Sequence, residues 1–257
     1  MDQATKAEQF AALHRKGNPV IIYNAWDAGS AKAIAESGAK AIATGDHPVG
    51  FSHGFTEDDF DGFTFDTYYQ TIQEISRRVG ELPFSVDISN AEGLDHEGLK
   101  KRISLVLDTG VVGVNFEDRL SDDSGVLSIE EHCKRIAAIR SAADNFGVPL
   151  FINARTDLFF LADNRDHESL MDEALERQKA YQKAGANGFF APKLLDINLI
   201  QQLSEASTLP VNILRLPGAP STAELRDAGV SRISYGPVVQ MEMIEWLKGK
   251  AKEAFDR

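Results

Sequence analysis

The sequence contains a single cysteine, Cys133, and no long apolar run among its 257 residues. One cysteine excludes an intramolecular disulfide and a zinc site built from several cysteines. A membrane helix needs about 20 consecutive apolar residues, and no segment approaches that length. The first ten residues are acidic and polar, where a secretory signal would have a basic start and an apolar core. We therefore expect a cytoplasmic protein without a membrane span.

Positive charge is also scarce, since 27 Lys and Arg stand against 39 Asp and Glu, for a formal net charge of −12. Such a charge repels phosphate backbones at long range, so we expect no nucleic-acid partner. An anionic substrate must then be attracted locally, by a metal or by well-placed cations. The hydrophobic content of 43% and charged content of 26% are typical of a soluble globular protein. We expect residues 1–257 to form one domain.

Short apolar runs rich in Val, Ile, Phe and Ala alternate with longer amphipathic stretches. This alternation is typical of buried parallel strands joined by helices. Several helical stretches end in a glycine just before the next run, as expected for left-handed helix caps. Eight such units favour a closed (β/α)8 barrel over an open sheet. The predicted strands are residues 20–23, 41–44, 84–88, 112–116, 150–153, 188–191, 211–214 and 232–235, and the predicted helices are residues 30–37, 67–78, 97–109, 129–144, 167–184, 198–206 and 221–228.

Two segments do not fit the simple alternation. Residues 45–66 form the longest stretch predicted to be irregular, which indicates a lid or a surface that packs on a neighbouring subunit. The tail after Met241 has the pattern of a helix with an apolar face that includes Ile244, Trp246 and Leu247. That face could cover its own barrel or dock on another subunit.

Acidic residues follow two neighbouring predicted strands. Asp87 ends the apolar run of the third strand, and Glu117 and Asp118 end the fourth. Barrel enzymes build their sites from residues at the carboxyl ends of the strands, so these carboxylates could converge on one cation. Mg²⁺ suits such a site because it takes one or two carboxylates and keeps several waters. A single isolated acid would more often cap a helix or pair with a base, but two adjacent clusters favour a metal site.

Arg155 follows the fifth predicted strand and supplies a cation at the same end of the barrel. A guanidinium can hold a carboxylate or phosphonate through two parallel hydrogen bonds. It can also form a structural salt bridge to Glu117 or Asp87, and the two roles are compatible. After the first and seventh strands, Trp26 could wall a pocket and Asn212 could donate to a substrate oxygen.

These motifs, in this order, resemble the isocitrate lyase and phosphoenolpyruvate mutase superfamily. The similarity extends from about residue 18 to residue 237, nearly the whole chain. The matching motifs are Asn-Ala-Trp-Asp-Ala-Gly-Ser at 24–30, Ala-Ile-Ala-Thr at 41–44, Phe-Glu-Asp at 116–118, Asn-Ala-Arg-Thr-Asp at 153–157 and Pro-Gly-Ala-Pro at 217–220.

The resemblance implies a (β/α)8 barrel whose eighth helix is swapped between subunits, in homodimers that often pair into homotetramers. It implies that Asp87 binds Mg²⁺ directly, that Glu117 reaches the ion directly or through water, and that Arg155 binds the substrate carboxylate. In this family the metal stabilises an enolate of pyruvate or a related oxo acid while a C–C or P–C bond is broken or formed. The candidate catalytic residues are Arg155 and Glu117, and the candidate substrate-binding residues are Trp26, Thr44, Gly45, Asp46, Arg155 and Asn212.

Three features depart from the family pattern. Ser89 occupies the place of a second acid two residues after Asp87. Gly45 and Asp46 replace a Ser-Ser or Ser-Gly pair that supplies oxyanion contacts, and the added acid would repel an anionic substrate unless it binds metal or is protonated. The segment 119–128 lacks the Lys-Lys-Cys-Gly-His loop of the lyases that cleave isocitrate and methylisocitrate, and the Lys-Asn-Ser loop of phosphonate-forming mutases is absent too.

Three functional hypotheses remain open from the sequence. The favoured one is a Mg²⁺-dependent enzyme that cleaves or forms a C–C bond in a small α-oxo or hydroxy (di)carboxylate. The second is an enzyme of P–C bond chemistry, of the phosphoenolpyruvate mutase or phosphonopyruvate hydrolase type. The third is a barrel that has lost catalysis and serves in binding or assembly, which Ser89 and Asp46 make credible.

Overall fold

The structure, a computed structural model, describes residues 1–91 and 93–256. Within these residues nine parallel strands form one nearly closed barrel, in the order β1-β9-β8-β7-β6-β5-β4-β3-β2. The first predicted strand, residues 20–23, corresponds to β1, which pairs with β9, and the chain continues after Tyr23 into the short strand β2, which pairs with β3. These two short strands take the place of one strand, which confirms the (β/α)8 architecture. The strands are β1 Val20–Ile22, β2 Asn24–Ala25, β3 Ile42–Thr44, β4 Phe84–Asp87, β5 Gly113–Glu117, β6 Phe151–Arg155, β7 Gly188–Phe190, β8 Val211–Leu214 and β9 Arg232–Ser234.

Helices surround the barrel, and side-chain caps fix where many of them begin. Asp95, Ser128 and Asp196, for example, each accept a hydrogen bond from a backbone N–H in the first turn of the helix that follows. The helices are α1 Gln3–Leu13, α2 Ala28–Glu36, α3 Asp46–Ser52, α4 Phe65–Val79, α5 His96–Asp108, α6 Ile129–Phe146, α7 Leu158–Leu161, α8 Met171–Ala184, α9 Ile197–Ala206, α10 Thr222–Asp227 and α11 Val238–Phe255, with 3₁₀ helices at Glu57–Gly62 and Asn164–Leu170.

Two regions differ from the sequence-based expectation. The segment 45–66 was expected to be irregular but contains α3 and a 3₁₀ helix, because its aromatic residues pack together: His47 stacks on Phe60 at 4.5 Å between ring centroids. Helix α1 was not predicted, although Phe10 on it is fully buried. A methyl group added to Gly113 of β5 would lie 2.6 Å from the Phe10 ring, so α1 packs against the start of that strand.

The last helix, α11, confirms the predicted helical tail but contributes little to its own barrel. Gln240 is its one buried residue within the described part of the chain, and its amide donates to the carbonyl of Pro48 at 2.8 Å. Met241, Trp246, Leu247 and Phe255 are all more than half exposed. Across residues 1–91 and 93–256, no helix has the length and apolar character needed to cross a membrane.

Candidate active site

Five charged residues meet at the carboxyl ends of strands β3 to β6, and we call them the mouth cluster. Strand pairing aligns Asp87 with Asn115, and Glu117 with Arg155, so these strand ends reach the same level of the barrel. The sequence-based convergence of Asp87, Glu117 and Arg155 is therefore found in the structure. The mouth cluster consists of Asp46, Asp87, Glu117, Arg155 and Asp157.

Arg155 is the centre of this cluster. Its Nε and Nη2 donate to the two carboxylate oxygens of Asp157 at 2.6 and 2.8 Å, and its Nη1 lies 2.9 Å from Glu117 Oε2. The same Nη1 is 4.0 Å from Asp87 Oδ2. Burial alone would lower the pKa of Arg155, but Glu117 and Asp157 together raise it above the ordinary value. The guanidinium is therefore permanently charged and fixed in orientation.

Asp87 ends β4 with its side chain 14% exposed. It accepts hydrogen bonds from the backbone N–H of Ser89 at 2.9 Å and from the amide of Asn115 at 3.3 Å. Burial raises the pKa of Asp87, and the charge of Asp46 raises it further, while Arg155 opposes both effects. A nearby cation would therefore stabilise the ionised form of this carboxyl group.

Glu117 ends β5 with its side chain 12% exposed. Burial raises its pKa to about 8, although Arg155 lies beside it. The neighbouring Asp157 and Asp87 add to the increase, because like charges disfavour ionisation. Glu117 is thus a candidate proton carrier near neutral pH.

Asp46 begins α3 and faces Asp87 from the neighbouring strand end. The hydroxyl of Ser89 donates to Asp46 Oδ2, and the backbone N–H of His47 donates to Asp46 Oδ1 at 2.7 Å. Burial alone would raise the pKa of Asp46, but His47 and Ser89 together lower it below the ordinary value. Asp46 is therefore held as a carboxylate anion.

A cavity of about 230 Å³ opens beside these acids, between the segment before α4 and the loop after β4. Asp46 and Asp87 contact it at one side. Its other walls are largely aromatic, and Arg102 of α5, which stacks on Phe65 at 4.0 Å, adds a positive charge. The cavity therefore combines carboxylates, an apolar surface and a cation, as small-molecule sites commonly do.

Of the predicted substrate-binding residues, Asp46 lines this cavity. Arg155 does not line it but lies 4.0 Å from Asp87, which does, and the remaining four lie away from it. Thr44 is fully buried, and its hydroxyl donates to the carbonyl of Ala25 at 2.6 Å. Gly45 precedes α3, where a side chain would come within 3.3 Å of Pro48. Asn212 is 1% exposed inside the barrel and accepts a hydrogen bond from Ser234. Trp26 is partly buried, and its backbone N–H bonds to Ser30 at 3.0 Å.

Three residues of the site were not assigned a role from the sequence. Asp157 binds Arg155 through both carboxylate oxygens, Asn115 donates to Asp87, and the hydroxyl of Tyr68 donates to the backbone carbonyl of Asp87 at 2.8 Å. Asp157 and Asn115 belong to strand-end motifs, so their position gave a signal. Tyr68 lies on α4 and nothing in its surrounding sequence points to the site.

The donor set suits a hard cation. Among residues 1–56, 58–60, 62–91 and 93–256, no three Asp, Glu, His or Cys side chains form a ready-made metal cage. Mg²⁺ does not need one, since it binds one or two carboxylates and completes its octahedron with water and substrate oxygens. The excess of carboxylates over Arg155 in the mouth cluster fits that requirement, so these residues are compatible with Mg²⁺.

Comparison with known proteins identifies relatives along the whole barrel. The sequence model of the phosphoenolpyruvate phosphomutase family matches residues 10–255. The 2-methylisocitrate lyase of Escherichia coli strain K12 is 27% identical over 248 residues, which cover 91% of this chain and 79% of the lyase. A Burkholderia cenocepacia J2315 protein, provisionally assigned as a phosphonomutase, is 39% identical, with a TM-score of 0.93 over 98% of this chain and 99% of that chain.

A more distant likeness concerns the fold alone. A phosphonopyruvate hydrolase solved in complex with oxalate and Mg²⁺ superposes with a TM-score of 0.80 at 20% identity. The superposition covers 100% of this chain and 87% of the hydrolase. The two proteins therefore share the barrel fold, and this likeness does not bear on the reaction that either one performs.

Proposed function

Because the chain belongs to the phosphoenolpyruvate phosphomutase family, whose relatives include lyases and mutases, we propose that it is a Mg²⁺-dependent lyase-like enzyme. It cleaves or forms a C–C bond in a small α-oxo or hydroxy (di)carboxylate. One observation carries this proposal: several carboxylates and an oriented guanidinium converge at the barrel mouth, beside an open cavity.

In this proposal Asp87 holds the metal together with a second carboxylate of the mouth cluster, for which Glu117 is the candidate from the sequence. When bound, Mg²⁺ supplies positive charge that stabilises the negative charge developing on the substrate oxygen. A phosphonopyruvate hydrolase of the same fold binds Mg²⁺ and oxalate, which is chemically similar to such a substrate.

Arg155 orients the substrate carboxylate. A guanidinium has five N–H donors, and Asp157 and Glu117 use three of those in Arg155. Two donors remain for a substrate oxygen. Asp157 positions Arg155 rather than contacting substrate, since it accepts hydrogen bonds from Nε and Nη2 of the guanidinium. The carboxyl group of Glu117, with a pKa raised to about 8, can hold or release a proton beside the same guanidinium.

P–C bond chemistry is the second candidate, because the 39% identical Burkholderia relative is provisionally a phosphonomutase. The sequence does not decide between the two chemistries. Segment 119–128 lacks the Cys and His of the lyases that cleave isocitrate, and the Lys-Asn-Ser loop of the mutases is absent as well. Screening oxo and hydroxy acids for pyruvate release, with phosphonopyruvate turnover followed by phosphorus NMR, separates the two. Turnover of phosphonopyruvate alone would replace the C–C proposal, and turnover of neither class would favour the non-catalytic barrel.

Binding of oxalate with and without Mg²⁺, measured by calorimetry, tests the site directly. We expect the wild-type chain to bind oxalate only with Mg²⁺, and Asp87→Ala to lose this binding. Asp108→Ala is the matched control, since Asp108 is an exposed acid at the end of α5. Equal binding with and without Mg²⁺ would disprove the metal site.

We also propose that the protein forms a homo-oligomer through α11. The exposed apolar side chains of this helix, including Trp246 and Leu247, have no cover in the single chain. An apolar groove of about 790 Å³ runs between β1 and α2, beside the start of α11, and is large enough to receive helix side chains from another copy. Light scattering should give a dimer or tetramer for the wild type and a smaller species for Trp246→Glu, but not for the control Lys248→Glu. A monomeric wild type would contradict the proposal.

A further inference from the structure

We propose that Asp46 supplies the second carboxylate of the Mg²⁺ site and pairs there with Asp87. The inference rests on the proposed function, because it concerns the metal of the same site. The second metal ligand then lies at the junction of β3 and α3, whereas the sequence pattern predicts it on β5, at Glu117.

The chain around Ser89 brings the two acids together. Ser89 has a φ of +48°, a conformation that residues other than glycine seldom adopt. In this conformation its backbone N–H donates to Asp87 Oδ1 at 2.9 Å, while its hydroxyl donates to Asp46 Oδ2. One residue thus bonds both carboxylates and sets their spacing. A left-handed serine costs free energy, and such strain is most often retained where function requires the geometry.

The orientation of the acids also separates Asp46 from Glu117. Asp46 and Asp87 both contact the cavity beside the mouth, together with Ser89. Glu117 is absent from the cavity wall, and its Oε2 lies 2.9 Å from Arg155 Nη1. A cation that enters from the cavity therefore meets Asp46 and Asp87, whereas Glu117 already has a cationic partner.

The charges around the acids also favour Asp46 over Glu117 as the second metal ligand. Arg155 lies 2.9 Å from Glu117 but 4.0 Å from Asp87, so it neutralises Asp87 only weakly. The basic group beside Asp46 is the exposed imidazole of His47, whose Nδ1 lies 3.0 Å from Asp46 Oδ1, whereas Ser89 bonds to the other oxygen, Oδ2. Two partly buried carboxylates linked by one serine repel each other, and a divalent cation between them would turn this repulsion into attraction.

Binding of Mn²⁺, followed by electron paramagnetic resonance in the full-length protein, tests the inference without any turnover. We expect Asp46→Asn to weaken Mn²⁺ binding at least about tenfold, while Glu117→Gln changes it less than about threefold. The double variant Asp46→Ser with Ser89→Asp exchanges the two residues and keeps one acid at the site. It should restore Mn²⁺ binding to within about threefold of the wild type.

The outcomes distinguish this inference from the function on which it rests. Wild-type Mn²⁺ affinity in Asp46→Asn, with loss of binding in Asp87→Asn, would overturn the role of Asp46 and leave the metal site in place. A wild-type chain that binds neither Mn²⁺ nor Mg²⁺ would overturn both. Thermal unfolding checks that each variant is folded. If Asp46→Asn does not fold, Asp46→Ser replaces it: weakened Mn²⁺ binding that the double variant restores supports the inference, and wild-type affinity in Asp46→Ser overturns it.

Discussion

Two groups of buried charge lie back to back where β5 ends, and they differ in how completely their charges are paired. Glu117 belongs to the mouth cluster, whereas the next residue, Asp118, points into the helix layer, as successive residues of an extended chain do. The second group, which we call the wall cluster, consists of Asp118, Glu173, Arg177 and Tyr181.

In the wall cluster every charge has close partners. Asp118 accepts from the hydroxyl of Tyr181 at 2.7 Å and from Arg177 at 3.2 Å, and its other oxygen accepts from the backbone N–H of Asp157 at 2.9 Å. Arg177 also pairs with Glu173 at 2.7 Å. This group fixes helix α8 against the barrel, and it leaves neither oxygen of the fully buried Asp118 without a hydrogen bond.

The mouth cluster is less balanced, since Asp87, Glu117 and Asp157 share Arg155, and Asp46 lies beside His47 instead. Arg119 contributes only a more distant contact, 3.6 Å from Asp157. The comparison teaches that buried charge has two uses in one barrel. Complete pairing gives stability, and an excess of one sign prepares a site for a cation.

Removing the cation of the wall cluster is the largest change we predict. Arg177→Met leaves Asp118 buried without its cationic partner, and breaking such a pair lowers the free energy of unfolding by about 3–5 kcal/mol. Urea unfolding at pH 7 measures the loss. Arg165→Met is the control, because the Arg165 pair with Asp163 is exposed and contributes at most about 1 kcal/mol. A loss as small as that of the control would show that the wall cluster does not stabilise the fold.

Neutralising a carboxyl group of the mouth cluster should have the opposite effect, an increase in the free energy of unfolding. Glu117→Gln removes a buried carboxyl group whose pKa is raised to about 8, so without divalent cations it should increase the free energy of unfolding by about 0.5–2 kcal/mol. The wild type loses stability as pH rises from the unfolded pKa near 4.5 to about 8, because in this range the unfolded chain releases a proton that the folded state keeps. The gain in the variant should therefore grow across this range in urea unfolding series. A destabilised variant would mean that Glu117 stabilises Arg155 more than its burial costs.

The sequence predicted the part of the site that follows from strand periodicity. Asp87, Glu117 and Arg155 each end an apolar run, and the ends of parallel strands must meet at one face of a barrel. The sequence also placed Glu117 and Asp118 together in one motif. The motif does not show which of these two side chains faces the barrel mouth. The structure shows that Glu117 does and that Asp118 points into the helix layer.

Other features depend on contacts between distant segments. The bond from Ser89 to Asp46 spans 43 positions, and it follows from a left-handed backbone at Ser89 that no nearby residue signals. Tyr68 reaches the site only because α4 packs on β4. Helix α1 has two large apolar residues, Phe10 and Leu13, and its packing depends on the Phe10 ring occupying the space beside Gly113. Short-range patterns carry no information on such contacts.

The smallest effect we predict concerns His132, which lies behind the wall cluster. Its ring stacks on Phe116 at 4.9 Å, and burial lowers its pKa to about 3, with Arg135 and Arg177 adding to the effect. Below pH 6.5 the unfolded chain binds a proton that the folded state refuses until about pH 3, so stability falls as pH falls through this window. His132 should account for a loss of about 0.7 kcal/mol between pH 7 and pH 6. In His132→Phe, which can keep the stacking, urea unfolding at the two pH values should show a loss smaller by that amount. An unchanged pH dependence would mean that His132 binds a proton as readily in the folded state as in the unfolded chain, and that burial beside Arg135 and Arg177 does not oppose its protonation.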